Sequence, residues 1–252
     1  MSSVAEALAI SCMPSKSASE KLIVALDVED VAAARRLVDD LEGLVDFFKI
    51  GIALQLAEGV QAFISQLLEQ KKRVFLDYKY HDVPETVRKA VERASNMGVQ
   101  FLTVHGSSKV MREAVRGRSG KLKIFTVTVL TSMDRDDIIE MGYTEHSVKD
   151  LVLFRAQKAL DAGCDGVIAS GQEVQAIKEG VSKQLLVVTP GIRQDGSPED
   201  DQKRKVTPAE AILGGADYLV LGRPITQPER GSSREAAEEI LREMQAALDG
   251  MP

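Results

Sequence analysis

An alternation restricts the fold of this chain more than any other feature: eight short apolar runs, each followed by a stretch with apolar residues at helical spacing. The runs lie at 22–27, 47–51, 74–80, 101–106, 123–131, 166–170, 185–191 and 218–222. Helical patterns follow at 30–41, 58–71, 83–96, 108–115, 148–162, 174–179, 208–213 and 232–248. Strands that alternate with helices build parallel sheets, and eight such units close into an α/β barrel of the (β/α)₈, or TIM-barrel, type. A doubly wound open sheet is the structural rival. It uses fewer strands and often carries a Gly-rich first turn, which the segment after Asp27 lacks. The 252 residues match the roughly 200–250 that such barrels use as one unit. The expected organisation is a flexible N-terminal tail at 1–19, rich in Ser and Ala, and a single barrel domain at 20–252.

Composition removes several classes of function. A net charge of −6 offers no basic surface to nucleic acid, so an anionic ligand would have to be held by a few local Lys and Arg side chains. Cys12 and Cys164 are the only cysteines, too few for a disulfide framework or a thiolate metal site. No apolar run approaches the ~20 residues that span a bilayer, and the first residues lack the ordered regions of a signal peptide. The expectation is a cytoplasmic protein that uses neither nucleic acid nor membrane as partner.

The charges sit where a barrel is least tolerant of them. Parallel strands are buried on both faces, so ionised side chains inside them are costly unless paired or used. Asp27 closes the first run, Lys49 comes late in the second, and Asp77 and Lys79 lie two apart in the third, with Asp82 just beyond. Period two puts Asp77 and Lys79 on one face and turns Leu76, Tyr78 and Tyr80 toward the helices. An ion-pair network plugging one barrel end would account for any one of these charges. Their concentration at the C-terminal strand ends, where barrel enzymes build their active sites, favours chemistry for the set.

The segment Asp77-Tyr-Lys79-Tyr-His-Asp82-Val-Pro-Glu-Thr86 resembles the Asp-x-Lys-x-x-Asp-[Ile/Val]-Pro-x-Thr signature of bacterial-type orotidine 5′-monophosphate decarboxylases. The similarity continues through Leu22-Ile-Val-Ala-Leu-Asp27, Phe48-Lys49-Ile-Gly51, Leu130-Thr131-Ser132, Thr189-Pro-Gly-Ile-Arg193, Asp201-Gln202 and Leu221-Gly-Arg-Pro-Ile-Thr226. Tyr78, Tyr80 and Glu85 depart from the residues common in bacterial members, but no ionisable position of the signature is altered.

The resemblance implies a carboxy-lyase of de novo pyrimidine biosynthesis that converts orotidylate (OMP) to UMP and CO₂ without a cofactor or metal. Loss of CO₂ from C6 leaves a carbanion with no adjacent carbonyl to delocalise it, so the protein itself must provide the electrostatic stabilisation. Lys79 is the expected proton donor to C6, and Asp77 the acid beside the departing carboxylate, with Lys49 and Asp82 completing an alternating Lys-Asp-Lys-Asp array. By the same resemblance, Asp27 and Lys49 hold ribose hydroxyls and Thr131 and Ser132 meet the pyrimidine. Pro190, Arg193, Gln202, Gly222 and Arg223 surround the phosphate, with 194–204 as a lid. Asp82 and Thr86 reach into a neighbouring subunit's site, which implies a homodimer.

Each assignment has a plainer counterpart: Thr131 could simply end a strand, Ser132 cap a helix, and Lys203, Arg204 and Lys205 form a solvated basic run. His81 is read as a loop or dimer-contact residue, His105 as a side chain at the mouth and His146 as exposed. Two functional rivals stand beside the decarboxylase. One is a sister enzyme such as a 3-keto-gulonate-phosphate decarboxylase or hexulose-phosphate synthase, which shares the Asp-x-Lys-x-x-Asp core but uses Mg²⁺. The other is a catalytically idle phosphate-binding barrel. Asp82-Val-Pro-x-Thr86 and Asp201-Gln202 favour the orotidylate enzyme over the sister, and the intact charge array disfavours the idle barrel.

Overall fold

A computed structural model describes residues 17–193 and 204–251. Eight parallel strands close into one barrel in sequential order. They are β1 (Leu22–Ala25), β2 (Phe47–Gly51), β3 (Arg73–Tyr80), β4 (Phe101–Val104), β5 (Lys123–Val127), β6 (Gly166–Ile168), β7 (Leu186–Thr189) and β8 (Tyr218–Leu221). β8 pairs back onto β1, with Ile23 opposite Val220. The barrel expected from the alternation is therefore the fold.

Strand alternation sorts the side chains into two cores. Ile23, Ala25, Phe47, Phe75, Phe101, Phe125, Val188 and Val220 point inward and pack together. Their neighbours, such as Val24, Phe48, Leu76 and Leu102, face the helices. The inner core is largely aromatic: Phe101 lies 4.9 Å from Phe47, 4.5 Å from Phe125 and 5.0 Å from Tyr218, measured between ring centroids. Gly166 makes this possible, since a Cβ there would stand 2.5 Å from the Phe125 ring and 2.3 Å from the Leu186 carbonyl oxygen. Burying a Phe side chain stabilises by about 1.5–3 kcal/mol, so these rings form a firm floor. Continuing the same inward columns past Ala25, Phe47 and Phe75 leads to Asp27, Lys49 and Asp77, and the column changes from apolar to charged at the rim.

Helix ends follow local chemistry. Helix Val148–Ala162 begins at a capping box between Ser147 and Asp150 and stops at Gly163, whose φ is 82°. Helix Pro208–Leu213 begins at a box between Thr207 and Glu210, with Pro at its start. Helices Ile52–Gln55, Arg135–Glu140 and Arg223–Thr226 and the 3₁₀ turn Gly171–Glu173 are additions to the expected pattern. The fifth strand ends at Val127, four residues before the expected boundary, and the chain from 128 to 134 becomes rim loop.

At the N-terminus, residues 17–19 of the expected tail are built into the barrel's base. Ser17 caps the short helix Ala18–Lys21, Ala18 is buried, and its amide donates to Gln245 Oε1 at 3.0 Å. The remainder of that tail, Cys12 included, lies outside the described residues, as do Asp201, Gln202 and most of the expected lid.

Candidate active site

The rim of β1, β2 and β3 assembles four of the expected charges. Lys49 Nζ donates to Asp27 Oδ1 at 3.0 Å and stands 3.6 Å from Asp77 Oδ2. Lys79 Nζ donates to the other oxygen of Asp77 at 2.9 Å. Lys49 is almost wholly buried, with a side chain 8% exposed, whereas Lys79 at 30% opens toward the cavity. A buried ammonium deprived of its carboxylates would be strongly destabilising, so the three groups hold one another in place. Burial alone would raise the Asp77 pKa. The Lys49 and Lys79 charges and hydrogen bonds from Lys79 and Thr103 overcome it and hold the carboxyl below its ordinary 3.8.

Backbone strain contributes to this placement. Opposite β4, Leu76 pairs with Leu102 but Tyr80 pairs with Val104, so β3 carries two extra residues over this stretch. Lys79 takes a left-handed conformation there, with φ 48°, which is uncommon outside glycine. Thr103, inward-facing by parity with Phe101, occupies the gap in the ladder. Its Oγ accepts the Lys79 amide at 3.0 Å and donates to Asp77 Oδ1 at 2.8 Å. Tyr78 packs into the outer core with Tyr80 against it, as period two requires. Burial pushes the Tyr78 hydroxyl up to about 12, so it stays un-ionised at neutral pH.

These charges line a cavity of about 560 Å³, within the roughly 300–1,000 Å³ that small ligands occupy. Thr131 and Ser132, on the loop after β5, form one wall. Pro190 and Arg193 after β7, and Gly222 and Arg223 after β8, form another. Helix Arg223–Thr226 starts directly at that wall, in the position where barrels often place a phosphate site. Gly51 also lines the cavity, and a Cβ there would stand 2.8 Å from both Asp27 Oδ1 and Lys49 Nζ. Ten of the thirteen expected site residues thus share one cavity. Gln202 is outside the described residues, and Asp82 and Thr86 stay apart from the cavity.

Asp82 and Thr86 are exposed on the loop and helix start after β3, where Asp82 Oδ1 accepts the Val83 amide at 2.6 Å. His81 is exposed nearby, edge-on to His105 at 5.6 Å. His105 lines a neighbouring cavity with Tyr143 and Arg155. Burial, followed by the charges of Arg155 and His81, lowers the His105 pKa. His146 is half-buried and stacks on Phe154.

Two residues escaped the sequence reading. Thr103 gives only the faint signal of a fully buried hydroxyl at an inward strand position. Arg204 corrects an expectation outright: it is 8% exposed, not solvated, and its guanidinium bonds Glu173 Oε1 at 2.7 Å. A charge run in sequence says nothing of an acid 31 residues away that one of its members meets.

A closed barrel whose rim interleaves lysines and aspartates at the mouth of a ligand-sized cavity has the build of a (β/α)₈ lyase that stabilises charge with its own side chains. Sequence comparison gives the particular lineage: residues 20–240 match the Orotidine 5′-phosphate decarboxylase / HUMPS family, and the chain belongs to that family. It is 51% identical to the orotidine 5′-phosphate decarboxylase of Nitrobacter winogradskyi, over 92% of this chain and 95% of the relative. Against the enzyme of that name from Methylococcus capsulatus it is 46% identical, over 87% of this chain and 90% of the relative. The crystal structure of orotidine 5′-phosphate decarboxylase from Lactobacillus acidophilus superimposes with a TM-score of 0.76 at 31% identity, covering 89% of this chain and 98% of that one.

Proposed function

We propose that this chain decarboxylates orotidine 5′-phosphate to UMP in pyrimidine biosynthesis, with its own side chains as the catalytic groups. The observation that carries this is the Lys79 ammonium held 2.9 Å from the Asp77 carboxylate at the open end of the cavity. In the reaction the bond from C6 to the carboxylate carbon breaks, its electron pair stays on C6, and CO₂ leaves. Lys79 stabilises that pair and then donates a proton to C6, becoming a neutral amine that solvent reprotonates. Asp77 lies where the substrate carboxylate is drawn, repelling it in the bound state and losing that repulsion as CO₂ departs.

Asp27 and Lys49 hold ribose hydroxyls, Thr131 and Ser132 meet the pyrimidine, and Gln202 and Arg223 grip the phosphate, with Gly222 donating backbone, Arg193 close by and Pro190 lining the same wall. Binding energy from that distant dianion is available for fixing the reacting end. The exposure of Asp82 and Thr86, away from their own cavity, fits a homodimer in which each subunit lends both residues to its partner. Among the described residues no helix is long and apolar enough to cross a membrane. A cytoplasmic location accompanies this reading, because phosphorylated nucleotides do not cross membranes unaided.

The test is to incubate purified protein with orotidine 5′-phosphate and a metal chelator, and to quantify products. Equal amounts of UMP and CO₂ are expected. Absence of both overturns this reading, and a chelator-sensitive activity on a sugar phosphate in their place would put the chain with a Mg²⁺-dependent sister activity.

A further inference from the structure

The buried Arg204 has no part in the chemistry described above, yet it is tied to the cavity wall more firmly than any other arginine whose contacts are described. Its Nη2 donates to the carbonyl oxygens of Leu130 at 2.8 Å and Val129 at 3.1 Å, and its backbone amide donates to the carbonyl of Thr131 at 3.3 Å. Arg204 thus donates to three consecutive carbonyls beyond the end of β5, of which that of Leu130 also accepts the Met133 amide at 2.9 Å. Buried carbonyls outside a ladder need such donors.

Arg204 is itself held from the other side. Nη1 bonds Glu173 Oε1 at 2.7 Å, and the Arg204 carbonyl accepts the Ser170 hydroxyl at 3.1 Å. Ser170 and Glu173 belong to the turn that follows β6. The chain just after Arg204 is pressed onto that turn: a Cβ on Gly171 would stand 2.2 Å from Val206 Cγ2. Glu173 is 5% exposed, and burial raises its pKa despite the opposing charge and hydrogen bond of Arg204. A pair so costly to desolvate is weak evidence for stability and better evidence for a fixed geometry.

We propose that Arg204 is a positioning residue for the pyrimidine-facing wall, locking Val129, Leu130 and Thr131 against the rigid β6 turn through Glu173 and Ser170. The carbonyls of that segment point to Arg204 while residues 129–132 line the cavity, so the register in which Thr131 and Ser132 meet a base is set from behind. Arg204 touches no reacting atom and acts on the base end of the ligand, leaving the phosphate end to Gly222 and Arg223. This rests on the function proposed above.

The test separates the two ends of the ligand. Binding of UMP and of ribose 5-phosphate, which has the phosphate handle but no base, is measured by calorimetry for wild type, Arg204→Gln and Arg204→Lys, well below each melting temperature. Lysine keeps a cation for Glu173 but cannot serve two carbonyls with the planar fork of arginine. Both variants are expected to lose at least about ten-fold in UMP affinity, the equivalent of one charged hydrogen bond, while ribose 5-phosphate affinity moves less than about two-fold. Should Arg204→Gln fail to fold, Arg204→Lys carries the comparison. Unchanged UMP affinity, or a parallel loss for both ligands, overturns the positioning role alone. Wild type that binds no UMP overturns the proposed function and this inference with it.

Discussion

The Thr103 hydroxyl donates to Asp77 Oδ1 at 2.8 Å while its oxygen accepts the amide of Lys79 at 3.0 Å, so one side chain on β4 holds both members of the central ion pair. Replacing it by valine keeps the shape and removes both bonds. A buried amide and a buried carboxylate oxygen then each lose a partner, at a cost of roughly 1–3 kcal/mol in stability. Thr103→Val is expected to melt lower and to lose roughly ten-fold or more in kcat, since a catalytic pair loosened by a fraction of an ångström reacts poorly. Thermal melts and steady-state turnover check both effects.

Asp77 sets an acid limit. Its folded pKa lies below the ordinary 3.8 because, against the effect of burial, two lysines and two hydrogen bonds favour the carboxylate. The unfolded chain therefore takes up this proton first as pH falls. Stability from Asp77 is fully present above about 3.8 and is lost as pH drops through the lower folded value. Urea melts of wild type between pH 5 and pH 3 are expected to fall more steeply below about pH 4 than those of Asp77→Asn.

Asp82 and Thr86 give a prediction that needs two subunits. If Asp82 works in the partner's cavity, a heterodimer of Lys79→Ala and Asp82→Ala chains contains one doubly altered site and one intact site. Random reassociation of equal amounts then restores about a quarter of wild-type activity, because half the dimers are mixed and each has one working site. Asp82 acting in its own cavity would leave the mixture as inactive as its parents.

Arg223 lies at the start of the short helix after β8, on the wall assigned to phosphate. Arg223→Ala is expected to raise KM roughly 10- to 100-fold, the worth of one or two charge-assisted hydrogen bonds. Initial rates over a range of substrate concentrations separate the KM effect from any change in kcat.

Much of this was legible in the sequence because the physics that writes it is strong. Charged residues inside buried strands are rare enough that Asp27, Lys49, Asp77 and Lys79 pointed to the rim unaided. Helices Val148–Ala162 and Pro208–Leu213 were bounded correctly because their Ser147 and Thr207 caps are explicit. Helices Ile52–Gln55 and Arg223–Thr226 span four residues, too few for a 3.6-residue period to register, and Arg135–Glu140 buries only Ile138 and so shows no apolar stripe. Strict alternation also hid the irregularity of β3: Asp77 and Lys79 do share the cavity, but through an insertion with Lys79 at φ 48°. Thr103 and Arg204 were silent because a threonine in a strand and an arginine in a basic run are ordinary until their partners are known.

The most direct test of the whole is the Lys79 ammonium. Loss of orotidine 5′-phosphate absorbance would be followed for wild type and Lys79→Ala side by side, in chelator, with UMP affinity measured for both. Wild type is expected to turn over with chelator present, and Lys79→Ala to lose on the order of 10³-fold or more in kcat while still binding UMP. Turnover by Lys79→Ala near the wild-type rate would contradict it.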